Sequence, residues 1–410
     1  MEHQDHSVLL ADNRFLKLSK TKKKDTPFRL DYFAGLDDYL SNEILCIKRE
    51  ELDLLTTQSH KAREIFEDAT DRVIRKNQLG EFGVPTYFQE AIIKTWQEKE
   101  NHPLLLGRFD LCGGFDRFFS LPKVIEFNAD TCTTIPESTI WQDLQMKKNG
   151  TSFQQLNTTS DDLEKIIQKI TLKIAGDLNI PTKEINFLGT SLDYIEDREN
   201  VLTVLDAIPA ENKNNPSVAY RPLADLTFDA KEGIFYELPN GEFLKVDIMF
   251  KMIPWDWIFA NEPELAKLLA SIIMKDQCVI VNPPYTTLWQ NKKFLSYITK
   301  YYPNNGVIAE TYDEQYNYGN SFVKKPIYGR LGENISVIKN GKTVVNSSGD
   351  FESQQMVYQN YYPLLKDTDG YSYQIGIFTN AVNKASGLNF RYQKSEIITD
   401  ECDFMAHQII

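Results

Sequence analysis

Apolar positions recur at helical spacing in some stretches and at strand spacing in others, and this pattern sets the order of predicted elements. Residues 1–27 are polar, with a basic run from Lys17 to Lys24, and are expected to form a peripheral extension; residues 28–410 are the folded region. Helices are predicted over 61–78 and 86–98. Two strand-like runs follow, 104–110 and 123–128, joined by a glycine-containing stretch, 112–122, that reads as a hairpin connection. A helix is predicted over 160–178, with Ser160 as N-cap and Asp161, Asp162 and Glu164 in its first turn. Residues 185–189 and 218–221 read as strands, and Pro239-Asn240-Gly241 as the turn between strands 234–237 and 243–250. Helical spacing returns at 263–275 and 288–302. The last ninety or so residues are rich in strands and turns, with runs at 321–325, 335–338, 343–345, 356–361 and 373–379. The fold class is therefore α+β, with mixed and late antiparallel sheets flanked by helices.

Composition narrows the classes. The 410 residues are 42% hydrophobic and 25% charged, an ordinary globular balance with room for two or three domains. No apolar run is long enough to cross a bilayer, and the N-terminus lacks a signal-peptide core, so a cytoplasmic protein with no membrane partner is expected. The five cysteines are scattered without a CxxC pair, and the five histidines are not spaced for a metal on one helix. A net charge of −13 argues against a nucleic-acid partner.

The candidate chemistry centres on two strand ends, Arg108-Phe109-Asp110 and Glu126-Phe127-Asn128. Residues two apart on a strand share a face, so if the strands pair, Arg108, Asp110, Glu126 and Asn128 converge. Two carboxylates and an amide carbonyl are the oxygen donors a hard cation such as Mg2+ takes. Arg108 beside them is suited to a bidentate grip on a carboxylate or phosphate. The competing reading is a solvated strand face with an Arg–Asp ion pair. The loop Asn128-Ala129-Asp130-Thr131 then leads toward a helix starting near Glu137, whose free N–H groups could meet an anion.

A second segment, 324–334, has Gly329 and Gly332 between strand-like runs, flanked by Lys325 and Arg330. It reads either as a flap over nucleotide phosphates or as a surface hairpin with incidental basic residues. Lys292 opens a helix after a rigid Asn282-Pro283-Pro284 run and is either a ligand contact or a solvated lysine. Gln359 is a strand amide able to read an adenine edge or simply to complete the strand. Arg391 stands alone in its segment, and Trp255 and Trp257 read as core aromatics.

The order of RFD at 108–110, EFNADT at 126–131, FKMIPWDWIF at 250–259, NPPYTTLWQNKKF at 282–294, VKKPIYGRLGENI at 323–335 and VYQNYYPL at 357–364 resembles the synthetase domain of the glutathionylspermidine synthase family. The endings NFRYQKSEI and DFMAHQII are similar too. The resemblance implies an ATP-grasp-like fold in circularly permuted order, with a metal and acid-substrate half over about 100–255 and a nucleotide half over about 275–400. It implies a C–N ligase that uses ATP and Mg2+ to join an acid, glutathione or a peptide, to an amine such as a polyamine. Asp110, Glu126 and Asn128 would bind Mg2+; Arg108 would hold the acid's carboxylate, with Thr131 lining that site. Lys292, Lys325, Leu331, Gly332, Gln359 and Tyr361 would meet ATP, and Arg391 would stabilise the transition state. An amidase domain of the family's bifunctional members is not expected in this chain. Cys132 stands where the family loop has proline, which leaves the acid substrate open, and specificity is expected in 190–250. Two other classes compete: an ATP-binding regulator without ligase activity, and a polyamine-binding protein.

Overall fold

The computed structural model describes residues 9–18, 39–115, 121–150, 154–213, 218–314 and 320–410, and its core is organised around one long helix. Arg49–Arg75 buries Leu52, Leu55, Ala62, Phe66, Ala69 and Val73 along one face. It starts well before the predicted 61–78 because Glu51 accepts the Lys48 N–H at 2.8 Å, closing the first turn. Phe66 packs edge-on to Phe127, ring centres 5.1 Å apart, and Phe127 stacks on Phe109 at 4.0 Å. These phenylalanines alternate with the polar residues of strands Gly107–Cys112 and Lys123–Asn128. Burying them under the helix turns Arg108, Asp110, Glu126 and Asn128 to the opposite face.

The two strands close one end of the largest sheet, in the order Phe15–Lys17, Leu40–Ile47, Asp403–Ile409, Gly387–Gln393, Ser372–Thr379, Gly107–Cys112, Lys123–Asn128. Leu40–Ile47 and Asp403–Ile409 run parallel, and the other pairs along this order are antiparallel. Part of the segment expected to be peripheral is built into this sheet: Leu10 is buried, and Phe15–Lys17 pairs with Leu40–Ile47. The connection read as a hairpin over 112–122 is described only in part, residues 116–120 lying outside the described residues.

A parallel sheet, Val279–Val281, Ile248–Lys251, Phe187–Thr190, Val218–Tyr220, forms a second layer. An antiparallel sheet carries the late strands in the order Thr311–Tyr312, Met356–Asn360, Phe322–Pro326, Ser336–Lys339, Lys342–Asn346, and a small antiparallel sheet joins Leu226–Asp229, Gly233–Glu237 and Phe243–Val246. The run 243–250 is thus two strands in different sheets. The switch is at Asp247, whose carboxylate accepts the Asn186 N–H at 2.8 Å.

Three other expectations change in instructive ways. The strand expected from 104 begins at Gly107, because the Asn282 side chain takes the Leu105 and Leu106 N–H groups at 2.9 and 3.1 Å and holds that stretch off the ladder. Ser160 lies inside helix Thr159–Leu178 rather than capping it; Thr158 precedes the helix, its hydroxyl 3.0 Å from Asp162. The helix expected over 288–302 is broken into Thr286–Gln290 and Lys293–Tyr301. At the break, Gln290 accepts the Ala129 and Asp130 N–H groups, Asn291 donates to the Phe82 carbonyl, and Lys292 is left at the start of the second helix.

Candidate active site

The polar face of the paired strands forms the floor of a cavity of about 640 Å3. The strands pair with Arg108 opposite Asn128 and Asp110 opposite Glu126. Arg108 forks onto Asp110 with Nε to Oδ1 at 2.6 Å and Nη2 to Oδ2 at 3.2 Å, and its Nη1 donates to the Thr133 carbonyl at 2.8 Å. Asn128 donates Nδ2 to Asp110 at 3.0 Å, and Arg391 donates to the same carboxylate at 2.7 Å. Burial alone would raise the Asp110 carboxyl, but Arg108 and Arg391 hold it below its ordinary range. Arg391 also donates to Gln374, its cross-strand partner. Between them and Asp110 lies Gly376, where a Cβ would stand 2.9 Å from the Arg108 side chain and 2.2 Å from the Asn389 amide oxygen. The absent side chain leaves the space that the Arg108 side chain occupies on its way to the carboxylate.

Lys292 enters from the helix break. Its ammonium is 3.3 Å from Glu126 and donates to the Gly329 carbonyl at 2.7 Å, docking the glycine loop onto the strand floor. Lys325, buried on strand Phe322–Pro326, donates to Gln359 at 2.8 Å. Burial, with Lys292 nearby, pushes its ammonium down to about 8, although Glu126 opposes the shift. The Gln359 amide is fully engaged in return, donating to the Ile125 carbonyl and the Thr311 hydroxyl. The side chain thereby braces Lys325, and an adenine edge at Gln359 would have to take the place of one of these bonds. Leu331 and Gly332 both have positive φ at the crest of the loop, and a Cβ on Gly332 would press on the Ile398 carbonyl at 2.6 Å. Arg330 pairs with Asp256, tying the loop to the Trp255–Asn261 helix. Tyr361 donates to Glu396 at 3.2 Å.

Every residue expected to bind metal, acid or nucleotide or to act in catalysis lines this one cavity: Arg108, Asp110, Glu126, Asn128, Thr131, Lys292, Lys325, Leu331, Gly332, Gln359, Tyr361 and Arg391. Trp257, read as core, is there too, whereas Trp255 is buried. What the sequence reading missed is an acidic end, Glu196, Asp197 and Asp400. Burial raises the Glu196 carboxyl, and burial with Glu196 beside it raises Asp197 to about 7. The signal for Glu196 and Asp197 is faint, since adjacent acids in the first turn of a helix, here Ile195–Leu205, are what an ordinary helix start carries. One other metal-sized group among the described residues, Glu98, His102 and Asp276, lies outside the cavity, with Lys94 bonded to both of its carboxylates.

The donor set fits a hard cation. Two carboxylates and one amide sit on adjacent strands, and with the Asn128 Nδ2 committed to Asp110, its carbonyl oxygen is the atom that could meet a cation.

Residues 18–410 match the glutathionylspermidine synthase preATP-grasp family. The chain belongs to this family. Among curated proteins it is 24% identical over 384 residues to the bifunctional glutathionylspermidine synthetase/amidase of Escherichia coli, covering 86% of this chain and 56% of that protein. It is 24% identical over 377 residues to trypanothione synthetase of Crithidia fasciculata, covering 86% of this chain and 54% of that one. The chain thus spans about half the length of the curated relatives it matches. A glutathione synthetase-like effector of Globodera pallida, solved in apo form, shares the fold with a TM-score of 0.53 at 11% identity, covering 90% of each chain. No helix among the described residues is long and apolar enough to cross a membrane.

Proposed function

We propose that this chain is an ATP- and Mg2+-dependent acid–amine ligase that forms an amide through an acyl phosphate, joining a glutathione-like or peptide carboxylate to a polyamine or other amine. One observation carries the reading: a single cavity holds an oxygen-donor trio, two buried lysines under a glycine loop, Arg108 and Arg391, and a separate acidic end. Its family membership and its 24% identity to a glutathionylspermidine synthetase and a trypanothione synthetase support it. Metal ligands early in the chain and nucleotide lysines late fit a circularly permuted ATP-grasp order.

In the first step a carboxylate oxygen attacks the γ-phosphorus, the bond to the β-phosphate oxygen breaks, and ADP leaves. Mg2+ held by Asp110, Glu126 and Asn128 would supply charge neutralisation there. Arg108, swinging from Asp110 to the acid, orients the attacking group; such orientation is worth up to roughly 7–11 kcal/mol. Lys292 and Lys325 would release the Gly329 carbonyl and share Gln359 to take phosphate oxygens, with Leu331 and Gly332 above them. Thr131 lines the acid's path, and Tyr361 the nucleotide's.

In the second step the amine nitrogen attacks the acyl carbon, phosphate leaves, and the nitrogen loses a proton. Arg391 stabilises the tetrahedral oxyanion. Glu196, Asp197 and Asp400 attract the cationic amine, and a carboxyl titrating near 7, as in Asp197, suits receiving its proton. The test is ADP release across glutathione, short peptides and amino acids, each with polyamines, diamines and ammonia. Turnover requiring both an acid and an amine supports the reading. ATP binding with no ADP under any pair refutes it in favour of a regulator, and spermidine binding without ATP or metal favours a polyamine-binding protein.

A further inference from the structure

The loop carrying Asn128 and Thr131 is gripped from behind by a buried ion pair that lines no part of the cavity. Lys251 ends a strand of the parallel sheet, and its ammonium donates to Asp130 Oδ1 at 2.6 Å; both side chains are 1% exposed. Asp130 Oδ2 accepts the Trp255 backbone N–H at 2.7 Å, and Oδ1 also lies 3.3 Å from the Thr286 hydroxyl. Lys251 donates again to the Ile253 carbonyl at 2.9 Å and sits 4.2 Å from the centre of the Trp255 ring. The backbone of Asp130 is held as well, its N–H by Gln290 and its carbonyl by Asn282. The parallel sheet and two helix starts therefore converge on one residue of the loop.

Such a pair is a poor source of stability. Burial pushes the Asp130 carboxyl up and the Lys251 ammonium down, each partner only opposing the other's shift. Apolar side chains of similar volume are often at least as stabilising. What they lack is direction: here four hydrogen bonds fix both the height and the rotation of the loop. Asp130 points inward, while Asn128 at the end of its strand and Thr131 next in the loop face the cavity.

We propose that the Lys251–Asp130 pair is a positioning device that couples the parallel sheet to the metal and acid-substrate loop. The inference rests on the ligase reading for the identity of the ligands, and its test separates the two. Lys251→Met and the double variant Lys251→Met/Asp130→Leu are compared with wild type by thermal melting and by Mn2+ titration with ATP, followed by electron paramagnetic resonance. Lys251→Met is expected to melt lower, and the double variant to recover most of that loss. Both are expected to bind Mn2+ at least tenfold more weakly and to lose at least tenfold in kcat, with metal-free ATP affinity unchanged within twofold.

A double variant that melts like wild type and binds Mn2+ like wild type overturns the proposal. If the double variant does not fold, Lys251→Arg takes its place: weakened Mn2+ binding supports positioning, and unchanged binding overturns it. A wild-type protein that binds no Mn2+ refutes the metal assignment instead. Hydrogen exchange at residues 128–134 then decides positioning alone: faster exchange in the variant supports it, and wild-type exchange overturns it.

Discussion

Asp110 and Glu126 are proposed for the same metal, yet the structure sets very different backgrounds for replacing them. The Asp110 side chain is 3% exposed and accepts from Arg108 twice, from Arg391 and from Asn128. Asp110→Asn keeps the shape but removes the carboxylate that is bonded twice to buried Arg108. Removing one partner of a buried ion pair costs about 3–5 kcal/mol. Glu126 is 18% exposed and pairs with Lys292 at 3.3 Å. Glu126→Gln should cost roughly 0–1 kcal/mol, as partly solvated pairs do. At about 2 °C per kcal/mol for a large domain, Asp110→Asn is expected to melt roughly 6–10 °C lower and Glu126→Gln within about 2 °C of wild type. Both should lose ADP release at millimolar Mg2+, and Glu126→Gln should recover part of it as Mg2+ is raised. The assay pairs calorimetric melting with coupled ADP release at 15 °C, where both variants are folded. Asp110→Asn melting with wild type would refute the counter-ion argument. Glu126→Gln with wild-type Mg2+ activation would refute the metal assignment.

Further outcomes follow from the same geometry. Lys325, lowered to about 8 by burial, loses its proton as pH rises through that value, so ATP affinity should fall from pH 7 to pH 9 and Lys325→Arg should flatten the profile in a fluorescence titration. The same shift leaves the folded protein with fewer protons than the unfolded chain between about 8 and its ordinary value, so this lysine's contribution to stability rises with pH across that window. Gly376→Ala places a Cβ 2.9 Å from the Arg108 side chain and 2.2 Å from Asn389; kcat should fall at least tenfold, and a crystal structure should show Arg108 displaced. Glu196→Gln with Asp197→Asn should raise KM for the amine about tenfold and leave KM for ATP unchanged in steady-state kinetics.

How much of this was legible in the sequence follows from the range of the forces involved. Strand parity is local, so Phe109 and Phe127 inward imply Arg108, Asp110, Glu126 and Asn128 outward, and the floor of the cavity could be read directly. Breaks and switches were not legible because distant groups cause them. Asn282 holds Leu105 and Leu106, Asn291 reaches Phe82, and Gln290 reaches Ala129, each across more than 150 residues. Gln359 shows the limit most clearly. Its residue type allows a base contact, but only the fold reveals that Lys325, Ile125 and Thr311 have already claimed the amide. The ligand-free site is therefore self-neutralised: arginines on Asp110, Lys292 on Glu126 and Gly329, and Lys325 on Gln359. A ligand that binds must exchange each of these partners for one of its own. The charges already stand in the low-dielectric cavity, but Arg108, Lys292 and Lys325 must each let go of a partner to meet phosphate or carboxylate, so ligand binding is expected to remake these contacts before the charges can act on a transition state.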